Sequence, residues 1–424
     1  MHRIRLPYRS LLWLPLALLF VVPSKATPTI TPAAAGFDGE RLQRLTSALE
    51  AAVSEERMAG AVALVLKDGE VLYEQSVGMR DREAREPMRT DTIFRIASQS
   101  KAITSTAILI LQEEGKLLIS DPVATFLPEF EATTVAVPDG AGSYSVEPAK
   151  RRITIRDLLT HTSGIGYGHG RAAAEWKAAD IQNWYFAHRD EPIRETVRRM
   201  AELPAEAHPG ERFVYGYSTD ILGAIVEVAS GLPLDQFFAE RIFAPLGMVD
   251  THFYLPPEKA DRLAVVYSRG DDATLTRAPN PGFMISQGHY IDGPRRSFSG
   301  GAGLLSTAHD YARFLQMLLN GGELDGQRIL SPKTVALMTA NHLNGIDYRP
   351  GQGISLAFRV VQDVGLFGEP SEIGDYAWGG AYHTTYWVSP HDNLVVVFMT
   401  QLIPAKGSDL HQKLRTLLYQ AQVE

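Results

Sequence analysis

The 424-residue chain contains no cysteine, which excludes disulfides, thiolate metal sites and a cysteine nucleophile. Its 12 histidines include no His-Glu-x-x-His pattern, so a zinc site of the metalloprotease type is not expected. The chain also lacks Gly-x-Ser-x-Gly, the serine-bearing turn of α/β-hydrolases. Basic residues are in the minority, 41 against 49 acidic ones, whereas a nucleic-acid partner requires a basic face. The absences therefore argue against metal, thiol and nucleic-acid functions.

Residues 1–26 have the layout of a secretory signal peptide. A basic start is followed by an almost unbroken apolar run at 11–22 and by small residues at the cleavage position, Ser24 and Ala26. The alternative is an uncleaved membrane anchor, but the run is short for a span and contains Pro15. Cleavage removes four basic residues and no acidic one, so the net charge changes from −8 to −12. We expect an exported protein, periplasmic or secreted, with no stable membrane span after cleavage.

The remaining chain is expected to be a linker at 27–36 and one domain at 37–424. Asp38 is positioned to cap a helix that carries Leu42, Leu45 and Leu49 on one face. Two apolar runs joined by Asp68-Gly69 predict a β-hairpin. Further patterns predict a helix at 98–114, a helix capped by Ser306 or Thr307, strands at about 355–362, 377–388 and 394–401, and a last helix at about 408–422.

Strands therefore lie near both ends of the domain, with helices beside them and a helical insertion at about 120–295. This distribution predicts the α+β class: one antiparallel sheet built from both termini, flanked by helices, plus an all-helical region.

The segment Ser98-Gln-Ser-Lys101 is the main candidate for a catalytic site. A serine hydroxyl needs a nearby base to act as a nucleophile, and a lysine whose charged form is disfavoured can serve. Three residues apart on a helix, the two side chains lie on the same face. The alternative is a serine helix cap beside a solvated lysine. This is the only Ser-x-x-Lys in the chain, and it lies between an apolar strand and an apolar helix.

Phe94-Arg-Ile-Ala-Ser-Gln-Ser-Lys101 resembles the first box of serine β-lactamases, penicillin-binding proteins and related esterases. Other stretches agree with that family in the same order: Asp121-Pro-Val-Ala, Leu158-Leu-Thr-His-Thr-Ser-Gly164, His208-Pro-Gly-Glu-Arg-Phe-Val-Tyr215, Ser299-Gly-Gly-Ala-Gly-Leu304 and Trp378-Gly-Gly380. The resemblance runs from about Phe37 to the C-terminus. It implies the β-lactamase/transpeptidase-like fold, with the active site between the sheet and the helical region.

The second box of the family supplies a tyrosine that relays the proton, and two tyrosines compete for that role. No tyrosine here has asparagine two residues later, so the usual Tyr-x-Asn is missing. The esterase-like pattern Tyr-Ser-x-x-x-Asp-x-Leu-Gly, counted back from Asp220, places the catalytic position at Tyr215. Tyr217 is the second choice, and a half-buried structural aromatic is the alternative for both.

The third box, usually Lys-Thr-Gly or His-Ser-Gly, is replaced by Trp378-Gly-Gly-Ala-Tyr382, which resembles the family VIII carboxylesterases. By position, the N–H groups of Ser98 and Ala381 would form the oxyanion hole. The resemblance implies substrate contacts from Trp378, Gly379, Gly380, Tyr217, Tyr382 and His383. Since Trp378 removes the cation that meets a β-lactam carboxylate, the pocket is expected to prefer neutral esters.

The sequence thus predicts a serine hydrolase that cleaves esters with short to medium acyl groups through a Ser–Lys–Tyr acyl-enzyme, without metal or other cofactor. The alternatives are a β-lactamase or D-Ala-D-Ala carboxypeptidase or aminopeptidase, an amide hydrolase for small oligomers, and a non-catalytic cell-wall binding protein. His161 is interpreted as structural. The glycine-rich stretch at 164–170 is interpreted as a mobile loop near the pocket.

Overall fold

A computed structural model describes residues 29–140, 142–280, 282–343 and 345–424. The signal-peptide prediction for residues 1–26 lies outside the described residues, as do the first two residues of the expected linker. Residues 29–36 contain a short 3₁₀ helix at Ala33–Ala35, and Ile30 N donates to Val71 O at 3.0 Å.

Eight strands form one antiparallel sheet, in the order β12-β13-β14-β15-β16-β1-β2-β3. The central pairing joins β1, from the N-terminal part, to β16, from the C-terminal part. The expected sheet built from both ends of the chain is confirmed. The strands are β1 Gly60–Lys67, β2 Glu70–Asp81, β3 Glu86–Pro87, β4 Phe94–Arg95, β5 Thr134–Pro138, β6 Tyr144–Pro148, β7 Tyr267–Arg269, β8 Leu275–Arg277, β9 Leu305–Ser306, β10 Glu323–Leu324, β11 Gln327–Arg328, β12 Gln352–Ile354, β13 Arg359–Val361, β14 Tyr376–Gly379, β15 Thr385–Ser389 and β16 Leu394–Thr400.

Helices cover both faces of this sheet, which explains why β1 is apolar at nearly every position. Its alternate residues Val62, Leu64 and Leu66 belong to the core on the side of α2, whereas Ala61 and Val65 belong to the core beneath α1 and α12. The helices are α1 Gly39–Ser54, α2 Ser100–Glu113, α3 Ile155–Leu159, α4 Ala173–Ala178, α5 Ile193–Met200, α6 Ser218–Ser230, α7 Leu234–Phe238, α8 Ala244–Leu246, α9 Ala308–Leu319, α10 Pro332–Thr339, α11 Val364–Phe367 and α12 Leu410–Tyr419.

The helix starts expected from capping residues are confirmed. The Asp38 carboxylate accepts from the N–H of Arg41 and caps α1. Of the two candidates for α9, the cap is Thr307, whose hydroxyl accepts from the N–H of Asp310.

The middle of the chain contains α3 to α8 together with two small hairpins, β5–β6 and β7–β8. Helix α6 packs against α2, so the helical region meets the sheet region along the helix that begins after Ser98. This region is therefore mainly helical, but the expectation that it is all-helical is corrected, because two short antiparallel hairpins form within it.

Two predicted strands are wrong in extent. The segment 377–388 is a hairpin, in which β14 and β15 are joined by residues 380–384. Within that turn His383 has a left-handed backbone with φ of +65°, which interrupts an extended strand. The segment 355–362 contains only the short β13.

Within the described ranges, no single helix is both long and apolar enough to cross a membrane. Helix α6 and the stretch 234–246 satisfy the length and hydropathy criteria only together, as a pair bent by 82°.

Candidate active site

Ser98 lies where strand β4 passes into helix α2. Residues Ala97–Gln99 form a single 3₁₀ turn, and α2 proper begins at Ser100, two residues later than the start expected from the sequence. Ala97 has a φ of +42°, a left-handed conformation that costs free energy in a residue other than glycine. The turn leaves Ser98 half-buried between buried neighbours.

The segment before Ser98 is fixed by buried hydrogen bonds that the sequence did not reveal. The backbone N–H and C=O of Arg95 bind the side-chain amide of Gln401, at 3.0 and 3.1 Å. The buried Arg95 guanidinium donates to the carbonyls of Ala264 and Gln287, which lie far along the chain. No local sequence pattern encodes such distant partners. The sequence therefore identifies Arg95 only as a member of the first box and does not predict its structural role.

Lys101 is 3% exposed, and its ammonium lies beside the Ser98 hydroxyl. The Nζ atom is 3.4 Å from Ser98 Oγ, 3.2 Å from Tyr167 Oη and 2.7 Å from the carbonyl oxygen of Gly301. The Ser-x-x-Lys spacing thus brings the two side chains together, as expected on one face of a helix.

A buried carboxylate, Asp220, organises the other side of the lysine. It accepts from Ser299 Oγ at 2.5 Å and from the N–H of Gly301 at 3.1 Å. Burial raises the pKa of Asp220, and the charge of Lys101 opposes that rise. A Cβ atom on Gly301 would lie 2.5 Å from Asp220 Oδ2, so only glycine fits between the carboxylate and Lys101.

Tyr215 is the second-box tyrosine that reaches this cluster. The Lys101 ammonium is 4.8 Å from the centre of its ring. The indole N–H of Trp378 donates to Tyr215 Oη at 3.3 Å, with the two ring centres 5.6 Å apart. The structure therefore brings Ser98, Lys101, Tyr215 and Trp378 into one cluster. Ser98, Tyr215 and Trp378 are partly exposed, and the surface that they form is called the cleft below.

Tyr217, the second choice, lies in the core. It has no exposed surface, its hydroxyl donates to the carbonyl of Asn183 at 2.6 Å, and its ring stacks on Trp176. A fully buried side chain cannot contact a substrate, so the expectation that Tyr217 binds substrate is corrected. The physical reason is its place at the start of α6, which points the ring into the helical core.

Tyr167 is the site residue that the sequence did not single out. Its hydroxyl meets the Lys101 ammonium, and its ring meets Tyr215 edge-on with centres 5.6 Å apart. Burial, Tyr215 and Asp220 raise the pKa of Tyr167 well above its usual value. The signal was the glycine-rich stretch that contains Tyr167: a Cβ atom on Gly166 or on Gly170 would overlap the side chain of Glu206, so both glycines pack directly against it.

The third box lies beside Ser98. Gly379 ends β14, and the backbone of Gly380 passes so close to the Ile96 carbonyl that a Cβ atom would overlap it. Within the described residues, no backbone hydrogen bond is donated by the N–H groups of Ser98 and Ala381. Unpaired N–H groups at these two positions are what the predicted oxyanion hole requires.

Two further third-box expectations need correction. Tyr382 is fully buried against Trp184, so its side chain does not line the cleft. The ring of His383 stacks on His411 of α12, with ring centres 4.0 Å apart, instead of being placed to contact a substrate. The left-handed backbone of His383 turns the side chain toward α12, an orientation that the strand expected there would not give.

His161 is buried beside the site without forming a serine–histidine pair. Its ring contacts Tyr215, with centres 4.7 Å apart, and Phe213. Burial, reinforced by the charge of Lys101, lowers the pKa of His161 to about 3, so the ring is neutral at pH 7. Across the described part of the chain, no three histidine, aspartate or glutamate side chains are grouped as a metal would require.

Comparison with known proteins agrees with this geometry. The sequence model of the beta-lactamase family matches residues 45–420. Esterase EstB of Burkholderia gladioli is 34% identical over 390 residues, covering 88% of this chain and 93% of the esterase. Protein Rv1367c of Mycobacterium tuberculosis is 36% identical over 371 residues, covering 83% of this chain and 88% of that protein. The structure of EstCE1, described as a hydrolase with promiscuous acyltransferase activity, superposes with a TM-score of 0.76 at 28% identity, over 90% of this chain and 99% of EstCE1.

Proposed function

Because this chain belongs to the beta-lactamase family, we propose that its cleft performs acyl transfer and that its substrates are carboxylic esters. The relatives named as esterases support this reaction type. The observation that carries the proposal is the convergence of Ser98, Lys101 and Tyr215 beside Trp378. The first three supply a nucleophile and its proton path, and the fourth stands where the family usually has a cation.

The first step begins from the deprotonated amine of Lys101, which forms when its ammonium releases a proton to solvent. Ser98 Oγ then forms a bond to the ester carbonyl carbon while its proton passes to this amine, 3.4 Å away. The carbonyl oxygen gains the negative charge, and the N–H groups of Ser98 and Ala381 stabilise it. The C–O bond to the alcohol then breaks, and the alcohol leaves with a proton delivered through Lys101 and Tyr215. The product is an ester between the acyl group and Ser98.

In the second step, water attacks the acyl-enzyme, and the same pair removes its proton. The carboxylic acid leaves and Ser98 regains its proton. An alcohol in place of water would give a new ester, the acyl transfer that the description of EstCE1 names for that protein. Asp220, through Gly301, and Tyr167 hold Lys101 in place for both steps.

The identity of residue 378 favours neutral esters over anionic amides. An indole offers an aromatic wall and one N–H, which is already donated to Tyr215 Oη. A substrate carboxylate at this place would lose a charge-assisted hydrogen bond, which is worth roughly 1.5–3 kcal/mol. Short to medium acyl esters without a charged group meet no such penalty.

For wild-type enzyme we expect kcat/KM on the best p-nitrophenyl ester, in a series from acetate to octanoate, to exceed that on a chromogenic cephalosporin by about 100-fold. Steady-state hydrolysis of both substrate types measures the ratio, and the series also shows how deep the acyl pocket is. The variant Trp378→Lys, which restores the cation, should narrow the ratio by about tenfold. A cephalosporin cleaved faster than every ester would make this a β-lactamase and contradict the proposal.

We also propose that residues 1–26 direct export, and that the mature enzyme starts at Thr27 without a membrane span. The basic start, the apolar run at 11–22 and the small residues before Thr27 support this. N-terminal sequencing of the protein recovered from the periplasm or medium should read Thr-Pro-Thr-Ile-Thr. A protein that keeps Met1 and sediments with membranes would show that the segment is an uncleaved anchor.

A further inference from the structure

The turn at residues 380–384 carries Ala381, whose N–H is half of the proposed oxyanion hole. Two backbone hydrogen bonds close this turn: Gly380 donates to the carbonyl of Thr384 at 2.9 Å, and His383 donates to that of Gly380 at 3.0 Å. Neither uses the N–H of Ala381, so the direction of that N–H depends on how the whole turn is held. Errors of about 1 Å in such a group are costly in catalysis.

His383 is an unfavourable residue for its backbone conformation. Its φ of +65° lies in the left-handed region, which is strained for a residue with a side chain and unstrained for glycine. Such strain persists only where surrounding contacts hold it. One of these contacts is made by the imidazole itself, since Nε2 lies 2.7 Å from Ser408 Oγ.

The beginning of helix α12 completes this arrangement. His411, in its first turn, donates from Nε2 to the carbonyl oxygen of His383 at 3.1 Å. The two imidazole rings stack with centres 4.0 Å apart and an interplanar angle of 16°. Burial lowers the pKa of His383 to about 3 and that of His411 to about 4, so both rings are neutral and stack without charge repulsion at pH 7.

We propose that His383 is a positioning residue for ester hydrolysis: clamped by Ser408 and His411, it fixes the turn that aims the N–H of Ala381 into the cleft. Helix α12 then supports the oxyanion hole from outside, because it holds the turn that carries Ala381 without contributing an atom to the reaction. This inference rests on the proposed function, because the negatively charged oxygen that the N–H of Ala381 would stabilise forms only during acyl transfer.

The test replaces His383 by glycine, which accepts the left-handed backbone but removes the clamp. We expect kcat on p-nitrophenyl butyrate to fall about 10–100-fold, with KM changed less than about threefold, because the oxyanion hole acts mainly in the transition state. The rate constant for labelling of Ser98 by a fluorophosphonate should fall by a similar factor, since its phosphoryl oxygen occupies the same hole. The melting temperature should stay within about 3 °C.

Two further variants separate positioning from folding. Arg85→Gly is the matched control, since Arg85 is exposed and also left-handed, with a φ of +58°, but lies far from the cleft in sequence and on another hairpin. It should leave kcat unchanged. His411→Phe keeps an aromatic ring beside His383 but removes the donor to its carbonyl, so kcat should fall in the same direction as for His383→Gly even if that variant folds poorly.

An unchanged kcat in both His383→Gly and His411→Phe would overturn the inference, and so would a raised KM with kcat intact, which indicates a substrate contact. Failure of the proposed function gives a different result. In that case the wild type would not hydrolyse the esters at all, and the fluorophosphonate labelling rates of wild type and variants would still decide whether the clamp positions the turn.

Discussion

Replacing Ser98 by alanine is expected to lower kcat/KM for p-nitrophenyl esters by at least about 10³-fold, because no acyl-enzyme can form without the hydroxyl. Any residual rate would come from substrate binding and the oxyanion hole alone. Initial rates at high enzyme concentration measure this loss, and the mass of protein treated with a fluorophosphonate shows whether a covalent adduct still forms.

Ser100→Ala is the matched control for that experiment. Ser100 is fully buried two residues away, and its Oγ accepts from the N–H of Leu304 at 3.1 Å. Its loss should lower the free energy of unfolding by about 1–2 kcal/mol while labelling of Ser98 persists. If Ser98→Ala kept ester hydrolysis and labelling, the nucleophile would be another residue and the mechanism proposed here would be wrong.

Replacing Tyr215 by phenylalanine should lower kcat about 10²–10³-fold with little change in KM, since the ring remains but the hydroxyl that relays the proton is gone. Tyr217→Phe provides the comparison within the same segment. It removes a hydroxyl that donates to the Asn183 carbonyl in the core, so it should lower the free energy of unfolding by about 1–2 kcal/mol and change kcat less than about threefold.

Steady-state kinetics and chemical denaturation of this pair assign the tyrosine. The reverse outcome, with kcat lost in Tyr217→Phe and retained in Tyr215→Phe, would move the proton relay to Tyr217. That result would also require the fully buried ring of Tyr217 to reach the cleft through a rearrangement of the start of α6.

Trp378 affects both the substrate and the proton-relay tyrosine. Its indole stands in place of the cation expected of a β-lactamase, and the indole N–H donates to Tyr215 Oη. A lysine at this position could not supply that aromatic wall. The Trp378→Lys substitution therefore alters the charge preference for the substrate and the orientation of Tyr215 together. A change in the tyrosine affects the rates on both substrates, so the ratio of kcat/KM between ester and cephalosporin is the quantity that reports the charge preference.

Local features of the sequence were sufficient wherever the physical cause is local. The caps at Asp38 and Thr307 follow from a side-chain oxygen beside free helix N–H groups. The apolar run of β1 requires a strand covered on both faces. The spacing from Ser98 to Lys101 requires a helix to bring the two side chains together, and the structure has that helix.

Other features depend on residues that are distant in the chain, and only the tertiary structure decided them. Tyr167 contacts Lys101, and Asp220 binds Gly301, whose carbonyl accepts from Lys101, although these residues come from separate segments. The choice of Tyr215 over Tyr217 depends on which ring the core of the helical region buries. Side-chain direction in the third box was likewise wrong for Tyr382, because one strand was expected where the chain makes a hairpin.

The sequence by itself determined the pairing of Ser98 with Lys101, from residue types at short spacing, and the sheet built from both termini, from the order of strands and helices. That Trp378 replaces a cation is what the resemblance to the family implies. The tertiary structure alone decided which groups surround the lysine and that His383 faces α12 instead of the cleft. The physical reason is that a left-handed residue and a long-range hydrogen bond are set by packing between segments, which no short stretch of sequence encodes.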